Sequence, residues 1–115
     1  MNSNYIDQIT LSEISEILKK LIIYANEYKK MDEYAKNTTI EAISFNLIVL
    51  SILTKRISDK IRASNKIKWF ILELSGTTLV HHTVGIESNI ILKIIADEFP
   101  LILKELSIIK NTIYQ

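Results

Sequence analysis

The sequence predicts an all-α domain, and three observations carry that expectation. Apolar residues recur at steps of three and four along most of the chain, the spacing of a helix face. Two glycines and one proline are all that 115 residues contain, whereas β-hairpins need turn glycines, asparagines or prolines at short intervals. Pairs with capping-box spacing precede two of the periodic runs. The length allows one domain, residues 1–115. A hydrophobic share of 48% with 23% charged residues excludes wholesale disorder. The chain has no cysteine, which removes disulfides, zinc–thiolate sites and thiol catalysis. A net charge of +1 provides no field that announces a nucleic-acid partner. The first residues, Met1-Asn2-Ser3-Asn4-Tyr5, lack a signal-peptide pattern. The longest uncharged stretches, Ala42–Thr54 and Leu74–Ile86, fall short of the roughly 20 residues of a membrane span. The expectation is a cytoplasmic helical protein with no membrane segment.

Thr10 and Glu13 have capping-box spacing, flanked by Ile9 and Ile14 as a hydrophobic staple. Ile14, Ile17, Leu18, Leu21, Tyr24 and Tyr28 then share one face, predicting a helix from about Leu11 to Lys29. A short helical turn is expected within Met31–Asn37, punctuated by Asn37-Thr38-Thr39. Thr38 and Glu41 form the second capping box. After it, Ile40, Ile43, Leu47, Leu50, Thr54, Ile57 and Ile61 make a heptad-like seam with one polar break, in a single helix ending at Ala63-Ser64-Asn65. Ile48, Val49, Ile52 and Leu53 add a second apolar face to that helix. A small bundle cannot easily cover both, so this face is expected to meet a second subunit.

A third helix is expected from about Lys66 to Val84, with Ile67, Phe70, Ile71, Leu74, Leu79 and Val80 inward and Trp69 on a flank. Gly76 weakens its middle and Gly85 suits its stop. Glu87 or Ser88 opens the last helix, with Ile90, Ile91, Ile94 and Ile95 inward. Pro100 lacks an amide hydrogen and so is expected to kink that helix or start a new one. Leu101, Ile102, Leu103, Leu106, Ile109 and Ile113 complete the apolar set. The whole reads as an antiparallel bundle of four to five helices.

Few residues carry chemistry. His81 and His82 are adjacent and point about 100° apart on a helix, so they do not form a same-face metal pair. Either can act as a general base near neutral pH, or as a helix-end or interface residue. Lys55, Arg56, Lys60, Arg62, Lys66 and Lys68 stand against one acid, Asp59. That segment reads either as a solvated helix end or as a phosphate-binding rim formed by Arg56, Arg62, Lys66 and Lys68. Neither a P-loop nor a dinucleotide-binding glycine pattern is present.

The run Ile67-Lys68-Trp69 … Leu79-Val80-His81-His82-Thr83-Val84-Gly85-Ile86-Glu87 … Ile94-Ile95 … Phe99-Pro100-Leu101 resembles the C-terminal half of HepT-like HEPN proteins. Tryptophan opens the helix, histidine follows twelve residues later, and a Gly-Ile-acidic turn leads to a helix interrupted by proline. Ala42–Leu47, Lys55-Arg56-Ile57-Ser58 and the acidic-aromatic Met31-Asp32-Glu33-Tyr34 extend the likeness upstream, over about Ile14 to Leu106. The resemblance implies a HEPN-type bundle that dimerises and serves in a toxin–antitoxin pair with a minimal nucleotidyltransferase. Active members of that family are metal-independent endoribonucleases with an R-x-x-x-x-H-x-Y motif, whose tyrosine the partner adenylylates. No cofactor is implied.

Placed on this chain, the motif's histidine falls on His81, its arginine on Gly76 and its tyrosine on Thr83. An upstream Gly-Glu-Ala triplet falls on Ser51-Ile52-Leu53, with Ile52 replacing the acid. Losing one preorganised donor for developing charge typically costs about 10²–10³ in rate. The resemblance therefore implies a catalytically degenerate subunit kept for assembly. A divergent ribonuclease using His81 with a substitute clamp from a lysine or arginine of Lys55–Lys68, of which Arg56 and Arg62 are the arginines, and a helical interaction module unrelated to RNA, are the alternatives.

Overall fold

The computed structural model describes residues 3–74 and 88–113, which contain five α-helices and one 3-10 turn joined by short connections. They are α1 (Ser3–Glu27), the turn Tyr28–Lys30, α2 (Glu33–Lys55), α3 (Asp59–Ala63), α4 (Trp69–Leu74) and α5 (Ser88–Ile113). There are no strands among the described residues. Three long helices make the body, and α1 lies against both α5 and α2 while α4 lies on α2. A helix of 26 residues spans about 39 Å, which sets the long dimension of a molecule measuring 46 × 23 × 23 Å.

The seam expected on α2 is the centre of the core. Ile43, Leu47, Leu50 and Thr54 are buried, and Ile57 and Ile61 continue the line beyond the helix end. Thr54, the polar break, donates to the Leu50 carbonyl at 2.7 Å, so it enters the core with its hydroxyl satisfied. Leu11, Ile14, Leu18 and Leu21 of α1 face it, and Ile91, Ile95, Phe99, Ile102, Leu106 and Ile109 of α5 close the other side.

Both expected capping boxes are wrong, for one reason. Thr10 and Thr38 sit inside helices and donate back to the Ile6 and Tyr34 carbonyls at 2.8 and 3.1 Å. Helix α1 therefore begins at Ser3 rather than near Leu11, and Ile9 is exposed instead of stapled to Ile14. Helix α2 begins at Glu33, where Asp32 accepts from the Ala35 amide at 2.8 Å, so Asn37-Thr38-Thr39 lies within it. At the other end α2 stops at Lys55, and Ser58 starts α3 by accepting from the Ile61 amide at 3.4 Å. One expected helix is thus two.

Helix α4 starts at Trp69, not Lys66, and its frame is rotated from the expected one: Trp69 and Leu72 are buried while Phe70 is exposed. On α5 the inward line leaves Ile90 and Leu101 exposed, each one residue out of step with Ile91 and Ile102. Helix α5 continues across Pro100 without a new start. Pro100 cannot donate to the Ala96 carbonyl, but both residues are on the exposed side, where that acceptor is open to solvent.

Leu18→Ala removes a fully buried side chain and is expected to lower the unfolding free energy by about 2–5 kcal/mol. Tyr34→Ala, at an 82% exposed position, is expected to stay within about 0.5 kcal/mol of the parent. Equilibrium urea unfolding of the two variants checks the pair.

Candidate functional site

The basic segment of the sequence folds into a corner where α2 ends, α3 turns and α4 begins. Arg62, in the last turn of α3, occupies its middle. Its Nε donates to the Ile57 carbonyl at 3.3 Å, and its Nη2 donates both to the Thr54 carbonyl and to Glu73 Oε1. The guanidinium also lies 5.9 Å from the centre of the Trp69 ring. The Thr54 carbonyl, which also accepts from the Ile57 amide at 3.2 Å, and the Ile57 carbonyl lie just where the regular α2 ladder ends. Arg62 adds a charged donor to both carbonyls, and Glu73 balances its charge.

A second polar junction secures the same corner from α1. Asp7, 2% exposed, accepts from the Ser58 amide at 3.1 Å and from the Ser58 hydroxyl at 2.7 Å. Ser58 thus caps α3 while Asp7 holds Ser58 from 51 positions away. Asn65 performs a similar office for α4. Its Oδ1 accepts from the Ile67 amide at 3.0 Å and from Trp69 Nε1 at 3.1 Å, and its Nδ2 donates to the Ile61 carbonyl. Ser51 donates to the Glu73 carbonyl at 3.2 Å, tying α4 to α2. Chemically the corner is a closed network of donors and acceptors.

Arg62 is spent on Glu73 and backbone carbonyls, while Arg56, Lys66 and Lys68 are exposed. His81, Gly76 and Thr83 lie outside the described residues. Among the described residues no group of three or more His, Asp or Glu is placed to hold a metal.

The proposed second apolar face of α2 divides. Ile48 and Ile52 are 41% and 49% exposed, Val49 is half-buried, and Leu53 belongs to the chain's own core. Phe45, 67% exposed, joins Ile48 and Ile52 in a strip. Sequence reasoning missed it, although Phe45 stands three residues before Ile48 and so shares its face. Asp7 was missed for a different reason, since its partner Ser58 is remote in sequence. No family model, no curated protein and no solved structure matches this chain.

Asp7→Ala leaves the Ser58 amide without its buried acceptor and is expected to cost about 1–3 kcal/mol. Ser58→Ala removes the cap as well as one bond to Asp7 and is expected to cost about 0.5–2 kcal/mol. Because the two side chains share a bond, the double variant should lose less than the sum of the single losses, as read by urea unfolding.

Proposed function

We propose that this chain is a HepT-like, HEPN-type subunit that acts by pairing with a second copy of itself and by holding a minimal nucleotidyltransferase, rather than by cleaving RNA. The observation that carries the reading is the strip of Phe45, Ile48 and Ile52 on the outer side of α2. Fully burying such a side chain from full exposure is worth roughly 1.5–3 kcal/mol, and these three leave a large share of that surface in water. The strip is also self-complementary. Glu41 and Lys55, both exposed, each stand seven residues from Ile48, and Phe45 and Ile52 stand three and four. An antiparallel crossing of two α2 helices at Ile48 sets Phe45 against the partner's Ile52 and Glu41 against the partner's Lys55. That is the form of an isologous two-fold interface.

Helix α2 also contains an 18-residue window of mean hydropathy 1.3, long and apolar enough to cross a membrane by length and composition. This exceeds the expectation from uncharged stretches alone. Its seam residues Ile43, Leu47 and Leu50 are core residues of the bundle, and a core helix meets the same criterion. A cytoplasmic dimer is the reading adopted for it.

The degenerate reading is supported by the motif positions Gly76 and Thr83 and by the engagement of Arg62. The chain has two arginines, and with Arg62 bound to Glu73 only Arg56 stands exposed as a guanidinium clamp for a divergent ribonuclease. Lysine, a flexible point charge, does not reproduce the arginine fork.

Light scattering at micromolar concentration is expected to give the mass of two chains, and Phe45→Glu with Ile52→Glu the mass of one. A parent mass of one chain contradicts the pairing. RNA incubated with the parent in EDTA is expected to survive as it does with His81→Ala. Cleavage that disappears in His81→Ala makes the chain a ribonuclease, and its further loss in Arg56→Ala names the clamp. After co-expression with the nucleotidyltransferase, intact mass is expected to show no AMP on Thr83, because an aliphatic hydroxyl is a poorer nucleophile near neutral pH than a phenol with pKa about 10.

A further inference from the structure

Two clefts open along the contact between α1 and α5, one of about 730 Å³ and one of about 520 Å³. In the first, Ala25 and Asn26 of α1 share walls with Leu92 and Ala96 of α5; in the second, Ser15 and Lys19 share walls with Leu103 and Lys110. The two helices therefore run antiparallel. A line through the α5 residues of both clefts, from Asn89 to Lys110, advances by steps of three or four, with the remaining ones one residue to its side. Ser15, Lys19, Ile22 and Ala25 of α1 advance in the same way. Residues at such steps share one helix face, so the two clefts are stretches of a single groove. On α5 it covers 21 steps, about 32 Å.

The groove's chemistry differs from that of the whole chain. Lys29, Lys36 and Lys93 line the first cleft, and Lys19, Lys104 and Lys110 the second. These are half of the chain's twelve lysines, and Asp97 is the one acidic side chain lining either cleft. In a protein with a net charge of +1, six of the fourteen cationic side chains thus line one groove beside a single acid. Between the lysines the floor is apolar, with Ile22, Leu92, Leu103 and Pro100. Lys36 is held 5.4 Å above the centre of the Tyr28 ring, which fixes its ammonium at the mouth of the wider cleft. Lys19 pairs with Glu16 at 3.2 Å, but both are largely exposed, and an i,i+3 surface pair yields easily to a stronger anion.

We propose that this groove is the docking surface for an acidic amphipathic helix of a partner protein. Apolar side chains at i, i+3, i+4 and i+7 would cover the floor, and carboxylates on both flanks would meet the lysines. Its length fits a helix of about 20 residues. A single-stranded nucleic acid is the weaker match. Tyr28 is the one aromatic residue lining the groove, and Lys36 already occupies a face of its ring, so no stacking platform exists for successive bases. Lys36 stands nine residues from Phe45, half a turn around α2, so the groove and the apolar strip face different ways. The proposal accordingly does not rest on the self-pairing described above.

The test is fluorescence anisotropy with the full chain and a labelled amphipathic peptide of about 20 residues, leucine on one face and glutamate on the other. Binding is expected with a dissociation constant below about 100 µM. It should weaken at least about tenfold with Lys93→Glu plus Lys104→Glu. The milder Lys93→Gln plus Lys104→Gln should give a smaller loss at unchanged helical content. Replacing the peptide's leucines by serine should also abolish binding, because the floor then has no counterpart. Absence of binding to the parent, or binding indifferent to both lysine pairs or to the leucine replacement, overturns the proposal. So does an oligonucleotide of equal length that binds more tightly than the peptide and loses that binding in the same variants.

Discussion

Arg62 is the side chain on which the shape of this molecule turns. A bundle of three long helices needs its chain to change direction after α2, and every such corner exposes carbonyls that have lost their helical partners. Here the Thr54 and Ile57 carbonyls converge on one guanidinium, which is neutralised by Glu73 and covered by Trp69. Those contacts join the end of α2, the turn of α3 and the start of α4. The planar fork of arginine reaches several acceptors at once from a single fixed position, which a lysine cannot do. Around it, Asp7 fastens α1 to Ser58 and Asn65 fastens Trp69, so three polar side chains set the path of about twenty residues.

That arrangement bears directly on the chemistry available. An arginine that stabilises developing charge on a phosphate must present donors to the substrate. Arg62 presents them to its own backbone and to Glu73. The basic composition of Lys55–Lys68 therefore divides into one structural cation at the centre and several solvated ones outside. In contrast, the six lysines lining the clefts are separated in sequence by as many as 91 positions and are brought together by the antiparallel contact of α1 and α5. A charge pattern in sequence and a charge pattern in space are different objects here.

The core line of α2 was legible because burial imposes a period of 3.6 residues on the sequence, and Ile43, Leu47, Leu50, Ile57 and Ile61 obey it. The helix ends were not, because a hydroxyl followed by Glu at the third position after it is ambiguous. Thr10 and Thr38 bond backwards to carbonyls inside a helix, whereas Asp32 and Ser58 bond forwards to amides as caps. Only the backbone around each side chain decides between these uses. Trp69 was expected on a flank and is buried, since its indole nitrogen is bound to Asn65 and the helix frame starts there. Phe45, Ile48 and Ile52 illustrate the opposite limit: periodicity marks a second apolar face but does not say which member, here Leu53, turns inward.

The assignment of Arg62 to structure rather than to substrate is most directly tested by a double-mutant cycle with Glu73. Equilibrium unfolding would be measured for the parent, Arg62→Ala, Glu73→Ala and the double variant. The account predicts that Arg62→Ala costs more than about 1 kcal/mol, with a coupling to Glu73 of about 0.5–3 kcal/mol. An Arg62→Ala variant within about 0.5 kcal/mol of the parent, with no coupling to Glu73, would contradict it.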